Sequence, residues 1–353
     1  MLSRVADSLY WLARNVERAE NNARILDVNL QVTLDSERTD ADSERAAWQP
    51  ILATLEDLTV FNKQHPVINA EAVCEFVTFS RENPNSIWSC VACARENART
   101  VREYISSEMW ERLNGLWLWL NSPAARQLFT GSGIDFYRHV VDYSHQFQGT
   151  TDATLTHGEG WNFIYLGKFL ERADCSSRIL DLKYHILLPT GERVGGTIDI
   201  VQWQAVLKSC SAFEAYRKEY TGQVKPWDVA SFIILHDRFP RSIRFCVDAL
   251  NKSLHRISGC DLTHFSNESE RLAGRLCSDL NYTTIPEVFR TGLHEYLDGI
   301  QQRLSEIGAA MGEAYCTWRP ETEGTRASSP VQTQSMGGMV QTMGNMSQSF
   351  GRR

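Results

Sequence analysis

From Met1 to about Asp35 the chain has no proline or glycine, and apolar residues recur at Leu2, Val5, Leu9, Leu12, Val16, Ala19, Ala23, Leu26 and Leu30. Steps alternating three and four trace the seam of a helix packed nearly parallel or antiparallel to its neighbours. The spacing therefore predicts one long first helix. Similar patterns cover Glu44 to Val60, Asn69 to Phe79, Asn85 to Ile105 and Glu108 to Leu120, with breaks at His65-Pro66 and Asn83-Pro84. After Pro123 come Ile134 to Phe147 and Glu159 to Leu188, the latter stopped by Pro189-Thr190-Gly191. Asp199 to Ser209, Cys210 to Tyr220, Pro240 to Ile257, Glu268 to Asn281 and Glu287 to Tyr315 complete the set. Pro240 is expected in a first helical turn, where its missing N–H is not needed. Period-two strands are scarce, so the predicted fold class is all-α.

The first helix and the one near residue 170 are alike. A shift of 154 positions lays Leu12 on Leu166, Glu17 on Glu171, Arg18 on Arg172, Ala19 on Ala173, Arg24 on Arg178 and Asp27 on Asp181, with Arg14 on Lys168 and Glu20 on Asp174. The second seam, Phe163, Leu166, Leu170, Ala173, Ser177, Leu180, Tyr184 and Leu187, keeps the same phase. This interval is too long for a solenoid unit. It predicts a bundle of two related half-bundles, residues 1–155 and 156–316, with pseudo-twofold character.

A polar stripe runs beside each seam: Arg14, Glu17, Arg18, Asn21 and Arg24 in one, Lys168, Glu171, Arg172, Cys175 and Arg178 in the other. As an exposed ladder, the Glu20-Arg24 and Asp174-Arg178 pairs would contribute only about 0.2–0.5 kcal/mol each. If the two helices cross, their guanidinium groups could instead face one another over a cleft that a carboxylate or phosphate would satisfy. Arg95, Glu96, Asn97 and Arg99, followed by Arg102, echo the same stripe. Arg238, Arg241 and Arg244 flank another helix start, where free N–H groups also favour an anion. For each of these runs, a solvated face is the plainer reading.

The formal net charge of -7 opposes bulk nucleic-acid binding. Nine cysteines and an opening without a secretory pattern lead us to expect reduced thiols in a cytoplasm, and the apolar runs are too short to span a bilayer. No phosphate-loop, dinucleotide, HExxH or GxSxG motif occurs. Cys90 and Cys93 form a lone CxxC inside a helical pattern, which favours buried thiols over zinc, and no metal is expected. His157 and Glu159 could pair near a cleft, although a glycine-loosened helix entry with Trp161 in the core is simpler. Trp88, Trp110, Trp117 and Trp119 fit core or interface packing. Glu321 to Arg353 has no Leu or Ile, and 317–353 is expected to be a disordered tail, or else a recognition peptide ordered by a partner.

Several motifs in order are similar to those of the bacterial alpha-E family. They are the opening Met1-Leu2-Ser3-Arg4-Val5-Ala6-Asp7-Ser8-Leu9-Tyr10-Trp11, then Glu17-Arg18-Ala19-Glu20, Asn85-Ser86-Ile87, Ala94-Arg95-Glu96-Asn97-Ala98-Arg99 and Ser106-Ser107-Glu108-Met109-Trp110. Gly160-Trp161, Leu170-Glu171-Arg172-Ala173-Asp174 and Phe239-Pro240-Arg241-Ser242 follow. The resemblance adds Glu108 and Pro240 to the motif residues. It implies an all-helical protein encoded beside or fused to a circularly permuted ATP-grasp protein, often with a transglutaminase-like peptidase, in a system that makes or processes a peptide or amide bond. ATP would then belong to the partner, with no cofactor on this chain.

Three readings stay open. The chain is a binding or assembly subunit offering Arg/Glu-lined clefts to a carboxylate, phosphate or partner surface. It is an enzyme using Glu17 or Glu171, perturbed by burial, as general base beside Arg18 and Arg172. Or it is a scaffold locked by its Glu-Arg motifs.

Overall fold

The computed structural model describes residues 1–34, 41–185 and 196–316, and the elements within them are helical. The first is α1 (Ser3–Leu34), followed by α2 (Ala41–Thr54), α3 (Leu58–Gln64), α4 (Ala70–Phe79) and α5 (Ile87–Thr100). Next come α6 (Ser107–Leu120), α7 (Pro123–Gly131), α8 (Gly133–Thr154) and the second long helix, α9 (Glu159–His185). The remainder comprises α10 (Thr197–Ser209), α11 (Phe213–Glu219), α12 (Pro226–Leu235), α13 (Ile243–Ser258), α14 (Glu268–Tyr282), α15 (Ile285–Thr291) and α16 (Leu293–Met311), closed by a π turn at Gly312–Cys316.

The seams read from the sequence face inward. Leu9, Leu12, Ala23 and Leu26 of α1, and Leu166, Ala173 and Leu180 of α9, have no exposed surface. Helix α1 packs on α9, α5 and α8, and α9 packs on α1, α13 and α16. These two helices form the axis of the core. Side-chain caps fix where α5, α6 and α13 start: Ser86 accepts from Ser89 N, Ser106 from Met109 N and Ser242 from Phe245 N. Each such cap stabilises by about 1 kcal/mol.

Several boundaries differ from the pattern. Glu44 to Val60 is two helices, because Glu56 turns the chain with φ 60. Glu287 to Tyr315 breaks at Gly292, whose φ of 102 suits glycine. Pro240 lies before α13 rather than in its first turn, since Ser242 is the capping residue. Helices α7 and α12 escaped the periodicity. Pro123 begins α7 instead of breaking a helix, and α12 buries Val229, Ala230, Phe232, Ile233 and Ile234, leaving no polar face to mark a period. The expected end of the second long helix at 186–188, its Pro189-Thr190-Gly191 stop and the 317–353 tail lie outside the described residues.

No helix among the described residues is long and apolar enough to cross a membrane. The nine cysteines form no disulfide.

The α1–α9 crossing is tightest at Gly167, where an added Cβ would fall inside the van der Waals surface of the Tyr10 carbonyl oxygen. Gly167→Ala therefore forces the helices apart. It is expected to destabilise the protein by about 1–3 kcal/mol, read as a lower midpoint in urea unfolding.

Candidate functional site

Two carboxylates with no partner on their own helix organise the crossing. On α9, Glu171 accepts from Arg18 Nε at 2.6 Å, Arg18 Nη2 at 3.1 Å and Arg14 Nε at 2.7 Å. On α1, Glu17 accepts from Arg172 Nε at 2.7 Å and Nη2 at 2.8 Å. The two Glu-Arg motifs thus exchange partners, each arginine forking onto the other helix's carboxylate. Glu17 and Glu171 are buried, and such forks are strong because two charge-assisted bonds act in one plane.

Around Glu17 the space is filled. Arg241, itself buried, reaches Glu17 Oε1 and Asn21 Oδ1 at 3.0 Å each and also bonds Glu20. Glu20 further binds Arg24 at 2.7 Å, Ser144 at 2.5 Å and Gln148 at 2.9 Å. The Glu20-Arg24 pair is therefore an interior pair, not an exposed ladder. Arg24 also meets His145 at 2.8 Å. Lys168, the counterpart of Arg14, lies over the Tyr165 and Phe169 rings beside a void of about 20 Å³, room for one water. Burial and the Arg172 charge lower its pKa to about 8.

Around Glu171 the space is open. A cleft of about 470 Å³ lies between α1, α9, α16 and the α2–α3 turn, with Arg14, Arg18, Arg178, Glu171, Asp174 and Glu56 on its walls. Tyr10 and Trp11 contribute aromatic surface, and Asn85 closes one end, accepting from Arg18 at 3.1 Å. Arg178 ties Asp174 at 2.8 Å to Glu56 at 2.6 Å. Asn21 Nδ2 and Thr54 Oγ1, both buried and both on residues of the cleft wall, have no hydrogen-bond partner among the described residues.

Electrostatics argue against a general base. Burial raises both carboxyls, but Arg14 and Arg18 overcome it and hold Glu171 at about 2. Arg172 and Arg241 do the same for Glu17, whose pKa is also lowered. The expectation that burial would tune either group toward neutral pH fails because each faces two guanidinium groups.

The remaining sequence candidates are not gathered here. Arg95 lies between Trp110 and Trp117 on the α5–α6 face, bonded to Asn114 at 2.9 Å and Glu96 at 3.1 Å. Arg99 pairs with Glu96, Asn97 bonds its own helix at Cys93 O, and Glu108 sits in the first turn of α6. His157 stacks on Trp161, while Glu159 binds the Met1 amine at 3.1 Å. Arg244 reaches Asn281, and Arg238 is exposed. Among the described residues no cluster of His, Cys, Asp or Glu could hold a metal.

The sequence reading passed over Asp174, Glu56, Asn85 and Thr54 as site residues. A readable signal existed: Asn83-Pro84-Asn85-Ser86-Ile87 aligns with Phe239-Pro240-Arg241-Ser242-Ile243, which sets Asn85 against Arg241.

Residues 1–316 match the family model Alpha-E, described as a predicted alpha-helical domain with a conserved ER motif. The chain belongs to the Alpha-E family. In this Alpha-E protein two of the Glu-Arg dipeptides, Glu17-Arg18 and Glu171-Arg172, are the groups that exchange partners at the crossing. Similar curated proteins include uncharacterized proteins of Mycobacterium bovis and of two Mycobacterium tuberculosis strains, each 22% identical over 326 residues. The alignments cover 86% of this chain, which spans only 36% of the length of each relative. No solved structure matches the chain.

Two stability outcomes follow. An unfolded glutamate titrates near 4.5 and folded Glu171 at about 2, so its contribution is complete above pH 4.5 and lost as pH falls through 2. That contribution is on the order of 3 kcal/mol. Urea unfolding at pH 6 and pH 2.5 should register the loss, and Glu171→Gln should narrow the difference, leaving the part due to Glu17 and Glu20, while weakening the fold at pH 6. Arg241→Ala, which strips a partner from two buried carboxylates, should cost about 3–5 kcal/mol. Exposed Arg99→Ala should change stability by less than about 0.5 kcal/mol in the same assay.

Proposed function

We propose that this Alpha-E protein is a helical binding and assembly subunit of an ATP-grasp ligase system that forms peptide or amide bonds, with its cleft receiving a small polar ligand. The observation that carries this reading is the 470 Å³ cleft beside Arg14, Arg18 and Glu171, a hollow of ligand size at the exchanged Glu-Arg pairs. The mycobacterial relatives support it too, since most of their length lies beyond the matched region, as a fused partner domain requires. The ATP-grasp protein and a transglutaminase-like peptidase are the proposed partners, with ATP bound on the former. The low carboxyl pKa values favour binding over a general-base enzyme, and the packed Glu17 network gives the scaffold reading a share of the motif.

We also propose that the chain is built from two related half-bundles. Three features support this: the exchanged Glu-Arg forks, the shared serine caps of α5 and α13, and matching thiol bonds from Cys90 to Pro84 O and from Cys246 to Pro240 O.

The test is an ATP-dependent amide-ligation assay of the partner ATP-grasp protein with and without this chain, together with co-elution on size exclusion. Ala309→Trp adds bulk at an exposed position of the cleft wall without breaking an ion pair. Stimulation by the wild-type chain should fall at least about tenfold in this variant, with stability unchanged within about 0.5 kcal/mol. Absence of both co-elution and stimulation would sink the subunit reading.

A further inference from the structure

The two sides of the α1–α9 crossing use the same backbone plan and end with different charge. Asn22 Nδ2 donates to Asn85 O at 2.6 Å, and Ser176 Oγ, 154 positions after Asn22, donates to Arg241 O at 2.8 Å. The loops before α5 and α13 are therefore held to the axis in the same way. From one of them Arg241 sends a guanidinium between Glu17 and Glu20. The corresponding acids on the other side are Glu171 and Asp174, and there the loop offers Asn85, short and neutral, whose amide reaches Asp57 at 3.2 Å instead. A cleft stands where the second cation would be.

The cleft is short of positive charge. Four carboxylates line it, on Asp7, Glu56, Glu171 and Asp174, against three guanidinium groups, on Arg14, Arg18 and Arg178. Glu171 already engages Arg14 and Arg18, so the anion that bridges those arginines is the protein's own. Asp174 has Arg178 as its recorded side-chain partner, whereas Glu20 has Arg241, Arg24, Ser144 and Gln148. Burial raises the pKa of Asp174 despite Arg178, the sign of a carboxylate with too little opposing charge. Independently, Asn21, a residue of the same wall that is 2% exposed, holds a buried Nδ2 without a partner among the described residues, and its Oδ1 is already committed to Arg241. Its free hydrogens seek an acceptor that the described residues do not supply.

We propose that the cleft takes a small amine-bearing molecule, its ammonium or guanidinium group set against Asp174 in the role Arg241 fills across the axis, and its carboxylate or carbonyl accepting from Asn21 Nδ2. An amino acid or the amino end of a short peptide has this chemistry. The inference rests on the cleft being a ligand site and specifies the sign of the group it receives. In a ligation system such a ligand supplies the amine: its deprotonated nitrogen bonds the carbonyl carbon of an acyl phosphate as the acyl–oxygen bond breaks, phosphate leaves and the extra proton passes to water.

Calorimetry on the full chain with L-arginine, agmatine and succinate as probes tests it. L-arginine should bind saturably, and agmatine, which lacks the carboxylate, more weakly. Asp174→Asn should weaken arginine binding at least about tenfold. Asn85→Arg, supplying the absent guanidinium from the chain itself, should abolish binding while leaving thermal unfolding cooperative. Failure of arginine to bind, or binding indifferent to both substitutions, overturns the proposal. Succinate binding in place of arginine, lost in Ala309→Trp, also overturns it, yet leaves the cleft as a ligand site for the subunit reading.

Discussion

A carboxylate taken out of water is stabilised only by what the protein sets against it, and in this fold the compensation comes from across the helix axis. Glu17 depends on Arg172 from α9 and Arg241 from the loop before α13, and Glu171 depends on Arg14 and Arg18 from α1. Desolvating such groups costs several kcal/mol per ion, so a lone Glu-Arg motif inside the core would be a liability. Exchanged, the motifs lock the register of α1 on α9, because sliding either helix by one turn would break both forks together. The seams of Leu, Ala and Ile supply the apolar contact, and the forks decide which of its alignments is occupied.

The same arrangement explains why structural and ligand-binding readings of one motif need not exclude each other. On the Glu17 side every acid is matched and the space is closed, which is the behaviour of a structural network. On the Glu171 side the fork is equally complete, but the ground beside it is hollow and edged by Asp174, Glu56 and unpartnered polar atoms. Packing has closed one side and left the other hollow.

Much of this architecture is legible in the sequence, because long seams with a strict three-four rhythm have no other stable use. Legibility fails where the cue is local. The turn at Glu56 and the start of α7 at Pro123 depend on backbone geometry that residue type only hints at. Helix α12 is apolar over most of its length and so shows no period. For the site, the offset that aligned α1 with α9 singled out Glu17, Arg18, Glu171 and Arg172 as partners. Their burial was hidden, since a charge stripe reads like a wet surface until another helix is known to cover it. The difference between Asn85 and Arg241 becomes informative only once the loops that carry them are known to occupy comparable ground.

The close approach of Gly167 to the Tyr10 carbonyl puts main chain against main chain, with no side chain between to compress or rotate. It acts as a fixed pivot one turn from the Arg14 and Glu171 wall, and α1 and α9 cannot part there without unseating both helices. The hollow therefore has one wall fixed by the α1–α9 backbone contact, and its other walls come from α16 and the α2–α3 turn. Substitutions that widen or narrow the hollow without disturbing the core must therefore fall on those outer walls, because the two long helices have no room to shift against each other at Gly167.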